Sequence, residues 1–354
     1  MNMPATTPAS VHLVGSVPLK DADAVFRAVS DAVGPYLRRI PDGETGKRKL
    51  WIGMISALLN KHADFEIDRD APPLQMKLWN GQLHREIRQL RFKQGVNPDL
   101  VVFDTGYAAM AIESYAGFDE LQRRGVIPAG VRFQIAIPSA MAPACNYIVP
   151  ADQETFLRVF VAHLSGEVKK IAAALPAGKI SIQWDVLQEI LLWENYFPSR
   201  PANYRERIFS SLAAVGNAVP MPIELGYHLC YGSPKDEHLV QPRNTAVMVE
   251  LIHGLLAALE RPVQFIHLPV PKARTDDGYF RPLASLKLPP QSELYLGLIH
   301  QDDDEGNRAR IATARRFISF AGVGTECGWG RGDPERVPAL LRTHRTAVEW
   351  MRMQ

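Results

Sequence analysis

Eight short apolar runs recur along this 354-residue chain, with helix-patterned stretches between most of them. They lie at 11–16 (VHLVGS), 100–104 (LVVFD), 132–137 (RFQIAI), 179–185 (KISIQWD), 223–233 (IELGYHLCYGS), 263–268 (VQFIHL), 294–300 (LYLGLIH) and 320–325 (FAGVGT). Runs of this kind suit strands buried on both faces, and helical connections between them argue a parallel sheet. Eight such strands in a chain of this length point to a (β/α)8 TIM barrel of α/β class. An open doubly wound sheet is the fallback, but no G-x-G-x-x-G follows an early strand. Amphipathic spacing places helices at 21–33, with Asp21 as cap, and at 51–59, 78–92, 155–174, 202–215, 244–259, 307–320 and 335–353. We expect one domain over residues 1–354, with 37–97 as an elaborated segment between the first two strands.

In such a barrel the chemistry sits at the C-terminal ends of the strands. Those ends carry Ser16, Asp104, Asp185, His228 with Cys230, His267, His300, and Glu326 with Cys327. Alternate residues of a strand share a face, so His228 and Cys230 point the same way. Imidazole and thiolate together suit Zn²⁺, and His228, Cys230, His267 and Cys327 would make a neutral tetrahedral site. Glu326 is a candidate partner to a histidine ligand. The loop at 37–49 (LRRIPDGETGKRK) combines turn chemistry at Pro41-Asp42-Gly43 with dense charge. Arg38, Arg39, Asp42, Glu44 and Lys47 are its candidate substrate contacts, although phosphate-loop spacing is absent and a solvated turn fits equally. Cys145 reads as an ordinary thiol.

Composition narrows the class of protein. A formal charge of +2 implies no polyanionic partner such as nucleic acid, and three cysteines are too few for a disulfide scaffold. A reducing, cytoplasmic setting is the expectation. Residues 1–10 lack signal-peptide character, and no uninterrupted apolar run is long enough for a membrane span.

Taken with their order, these motifs resemble the catalytic barrel of cobalamin-independent methionine synthase, in the superfamily shared with uroporphyrinogen decarboxylase. His-Leu-Cys-Tyr at 228–231 matches that family's H-M-C-Y, and Glu-Cys-Gly at 326–328 stands where it has D-C-G. VHLVGSVP at 11–18 is similar to its opening I-G-S-F-P, and SIQWD at 181–185 to its I-Q-I-D-E-P. The resemblance implies a zinc site and a methyl or alkyl transfer to a thiol, with Ser16 and Asp185 as substrate contacts and Asp185 and Glu326 in catalytic roles. It also departs from the family. The glutamate ligand falls on His267, the carboxylate that helps hold the homocysteine amine falls near Gly106, and the PDGETGKR loop has no counterpart. The expected function is therefore a zinc-dependent methyl- or alkyltransferase, methionine synthase-like but not the housekeeping enzyme. Its partners would be a small thiol and an alkyl donor, with room for a homodimer. A metal-independent decarboxylase or lyase and a non-catalytic zinc-binding homologue remain open alternatives.

Overall fold

Along the middle strands of the sheet, odd and even positions have different chemistry, and this sets the architecture. In the computed structural model, which describes residues 9–234 and 238–354, Ile180–Val186 is buried along its whole length. Ile180, Ile182 and Trp184 alternate with Ser181, Gln183 and Asp185, all of them buried. Helices cover the apolar face, while the polar face turns into a shared interior.

Eight strands make one parallel sheet: β1 (Ser10–Val11), β2 (Arg39–Pro41), β3 (Arg132–Pro138), β4 (Ile180–Val186), β5 (Glu224–Leu229), β6 (Phe265–Pro269), β7 (Glu293–Gly297) and β8 (Gly322–Val323). Each pairs with its sequence neighbour from β2 through β8, and β8 pairs with β1. At the two edges, β1 and β2 meet through isolated parallel bridges, Val11 to Leu37 and Ser16 to Gly43. The curled sheet is TIM-barrel-like. Register puts Asp185 opposite His228, His228 opposite His267, and His267 opposite Tyr295. Four chemistry-bearing side chains from consecutive strands are therefore aligned in register on the interior face.

Helices follow most strands. Ala22–Val33 is capped by Asp21, whose carboxylate accepts from the Ala24 amide at 2.8 Å. Gln153–Ala174, Tyr204–Asn217, Ala246–Ala258, Asp304–Arg315 and Val337–Arg352 follow in turn. No described helix is long and apolar enough to cross a membrane. Residues 1–8, read from sequence as lacking a signal peptide, lie outside the described residues.

Three expectations are corrected. The run at 100–104 is not a strand: Leu100 and Val102 are 75% and 79% exposed and no strand pairs with them. Its one buried anchor is Phe103, which packs against Phe156 and Phe160. The second strand is instead Arg39–Pro41, so the elaborated segment follows that strand rather than preceding it. Residues 78–92 are not helical. Leu83–Ile87 pairs with Leu74–Lys77, and Leu90–Phe92 with Phe65–Ile67, as small antiparallel ladders. A long helix at Tyr107–Arg123, opened by Gly106, had no clear signal in the sequence.

Candidate metal centre

His228 is near the end of β5, and two residues on the Cys230 amide donates to the Val186 carbonyl, 2.9 Å away. This contact continues the strand pairing by one step and keeps both side chains on the interior face. Cys327 arrives from the loop after β8. Ligand atoms of His228, Cys230 and Cys327 all lie within 4.8 Å of one another. The two sulfurs are 3.5 Å apart, and the Gly232 amide donates to Cys230 Sγ at 3.1 Å. A hydrogen bond from Cys230 holds the Cys327 thiol well below its usual range, while the same pairing and burial push Cys230 up. His228 Nε2 is buried, makes no hydrogen bond of full geometry, and faces the Cys327 sulfur. One imidazole nitrogen beside two sulfurs is a donor set that fits Zn²⁺.

The structure does not bring His267 into this group. Its ring lies behind His228, fully buried, with Nδ1 2.8 Å from His228 Nδ1. Burial keeps the His267 and His12 rings well below the ordinary histidine range, so both are neutral.

Above the three donors opens a cavity of about 650 Å³. Its walls are largely apolar, with Trp51, Ile52, Met76, Ile87 and Leu187 among them. Most of these come from residues 50–87, so the elaborated segment roofs the centre. Glu44 and Asp185 supply carboxylates. Burial raises the Glu44 carboxyl to about 7, against the pull of Arg48. Burial and the Glu44 charge raise Asp185 well above the carboxylate range, opposed by hydrogen bonds from Gln183 and Trp51. Glu44 and Trp51 both have left-handed backbones, φ 49° and 53°. Strain of this kind collects at functional sites. It is held here by a tight loop: Asp42 accepts from the Glu44 amide at 3.0 Å and from the Arg48 guanidinium. Gly43 (φ +77°) allows the turn, since a Cβ there would meet Val25 Cγ2 at 2.6 Å.

Ser16 lines the cavity, and it also anchors the cysteine-bearing loop. Its Oγ accepts from the Gly330 amide at 3.1 Å, and its carbonyl accepts from the Trp329 amide at 2.8 Å. Glu326 faces away, toward a smaller cavity of about 200 Å³ beside Cys327, where its carboxylate pairs with His238 Nε2 at 2.5 Å. His300 lines that second cavity too and bonds the Val270 carbonyl at 2.9 Å.

The remaining sequence candidates are placed elsewhere. Asp42 is buried beneath the loop as its brace, and Lys47 is exposed off the cavity while Lys49 lines it. Asp104 is exposed on the irregular segment before Tyr107–Arg123 and borders neither cavity. Arg38 and Arg39 lie at the opposite, N-terminal end of the sheet. There Arg39 bonds Glu224 at 2.7 Å and Glu293 at 2.9 Å, and Arg38 pairs with Glu293. Sequence reasoning missed Trp51, Gln188 and Arg331 as cavity residues. Arg331 stands three residues after Glu-Cys-Gly at 326–328 and could have been included on that ground, whereas nothing local marked the other two.

Two solved structures share this fold over nearly their whole length. One is a candidate vitamin-B12-independent methionine synthase from Listeria monocytogenes, 12% identical, TM-score 0.61, covering 98% of this chain and 99% of that one. The other is a B12-independent methionine synthase from Shewanella sp. W3-18-1 in complex with selenomethionine, 14% identical, TM-score 0.65, covering 99% and 98%. At these identities the likeness is one of fold. No protein-family model matches the chain, and no curated protein matches it in sequence.

Proposed function

We propose that the chain is one (β/α)8 barrel domain and a zinc-dependent methyl- or alkyltransferase acting on a small thiol. The observation that carries this reading is the group His228, Cys230 and Cys327 on the floor of a large, mostly apolar cavity. The names of the two structural neighbours agree with it. These three residues would hold Zn²⁺, which when bound acts as a Lewis acid and keeps a thiol ionised at neutral pH for attack on a methyl or alkyl carbon.

The protein's own residues supply the rest. Glu44 and Asp185, both buried and lining the cavity, are pushed toward the protonated form while the site is empty and would pair with a cationic group of the thiol substrate when it binds. Such a pair orients the sulfur toward the donors instead of leaving it free to rotate. Trp51, Met76 and Ile87 shield the cavity from water and give the apolar part of the alkyl donor a surface to pack on. Ser16 fixes the loop that carries Cys327. Glu326, paired with His238 on the far side of Cys327, stays outside the donor group.

Metal analysis of the purified protein should give one zinc per chain, lost in the double variant Cys230→Ser, Cys327→Ser. In a Co²⁺-substituted sample, added thiol should change the visible spectrum, which a closed structural site would not allow. A protein without stoichiometric zinc, or zinc retained by the double variant, defeats the reading.

A further inference from the structure

We propose that His267 is a positioning residue that accepts the Nδ1 proton of His228 and so turns the lone pair of His228 Nε2 toward the two cysteines. The inference rests on the reading of His228, Cys230 and Cys327 as a zinc site, and adds the group that presets its single imidazole.

A neutral imidazole carries one proton, on one of its two nitrogens. The two Nδ1 atoms lie 2.8 Å apart, a hydrogen-bond distance that requires one proton between them. If His267 donated it, the proton of His228 would sit on Nε2, and an N–H would point where a lone pair is needed. If His228 donates, its Nε2 is free as a ligand and the His267 proton sits on Nε2. That nitrogen has no partner of full hydrogen-bond geometry, and the Thr325 backbone is the polar group that faces it. The second assignment is the one that gives each nitrogen a use.

The surroundings keep His267 in this place. The His12 ring stacks on it with centroids 5.2 Å apart, and His12 is itself held by Gln183 Oε1 at 3.1 Å. On another side is Gly324, where even a Cβ would come within 3.3 Å of His267 Nε2. Boxed in by β1, β6 and the strand-end loop of β8, the ring orients His228 and does not join the donors. Three protein donors then remain, leaving the fourth to come from the cavity, as catalytic zinc sites require. Partners that fix a ligating histidine in this manner typically contribute 10- to 100-fold in metal affinity.

Nitrogen-correlated NMR of the full chain, zinc-free, should show His228 protonated at Nδ1 and His267 at Nε2. X-ray absorption of the zinc-loaded protein should show two sulfurs and one imidazole. His267→Leu should weaken zinc binding about 10- to 100-fold, while His267→Gln, whose Oε1 still accepts, should stay close to the parent. Two imidazoles on the metal, a proton on His228 Nε2 in the zinc-free chain, or equal losses in both variants overturns the proposal. Absence of zinc binding defeats the functional reading instead, and the zinc-free tautomers still decide the direction of this hydrogen bond.

Discussion

Glu189 shows what a buried carboxyl costs when Ser139 and its own backbone answer it only weakly. It is fully buried at the start of Gln188–Trp193, neither oxygen makes a geometrically sound hydrogen bond, and burial raises its carboxyl to about 7. The folded state therefore holds this proton more tightly than the unfolded chain does. Stability from this group is complete below pH about 4.5, falls as pH rises toward about 7, and is level beyond. A shift of that size corresponds to about 3 kcal/mol. Denaturant unfolding at pH 5 and pH 8 should show the parent losing about that much relative to Glu189→Gln; parallel profiles would sink the idea. Glu44 is the functional counterpart, a carboxyl kept in a strained backbone because it faces the cavity. Glu44→Gln should raise KM for a cationic thiol about 10- to 100-fold, the worth of one charge-assisted hydrogen bond, with kcat changed far less. A fall in kcat at constant KM would remove Glu44 from substrate binding.

At the scale of elements, the loop after β8 ties the centre together. An added Cβ on Gly328 would sit 2.3 Å from Ser16 Oγ, so this loop can lie against the end of β1 only without a side chain there. Gly328→Ala should displace Cys327 and weaken zinc binding at least 10-fold, about 1.4 kcal/mol. Ser16→Gly in the same chain should recover part of the loss, because the two positions share one contact. Equal zinc affinity in the parent and Gly328→Ala would show that the loop does not set Cys327. The H-x-C motif was legible because strand periodicity fixes which side chains share a face, and Glu-Cys-Gly because it stands where a similar family has D-C-G, just past the last strand. Residues 223–233 and 179–185 became strands for the same reason. What misled was local pattern without tertiary pairing. LVVFD has ideal strand composition, yet finds no partner strand and uses only Phe103 as an anchor. Arg39–Pro41 has poor composition, yet becomes a strand because Ile40 is buried beside Phe133 and Arg39 finds two carboxylates in the interior. His267 was expected among the ligands because it ends the sixth strand and falls where the similar family has its glutamate ligand; here its ring meets His228 Nδ1 to Nδ1 instead.

Across the whole molecule, the interior is unusual for a barrel of this kind, whose centre is ordinarily filled by branched apolar side chains. Here Ser10, His12, Gln134, Gln183, Tyr295 and His267 are joined by hydrogen bonds and ring contacts between the two ends of the sheet. At the N-terminal end Arg39 plugs the interior, 4% exposed, bonded to Glu224 and Glu293 and lying 4.1 Å over the Phe265 ring. The three donors lie at the other. On the proposed function one end carries stability and the other chemistry, and the two should separate on mutation. Arg39→Met keeps the volume but takes one of two arginine partners from each carboxylate, Glu224 keeping Arg132 and Glu293 keeping Arg38, and breaking a buried pair from one side costs at most about 3–5 kcal/mol. The partial exposure of both glutamates argues for the lower figure. A urea midpoint shift of that size, with zinc stoichiometry and KM unchanged, is the expected result. If Arg39→Met instead raises KM while stability holds, the guanidinium contacts substrate after all, as the charge of the LRRIPDGETGKRK segment suggested. The observed ion pairs favour the first outcome, since an arginine already satisfied by two carboxylates has little left to offer an anion at the far end of the barrel.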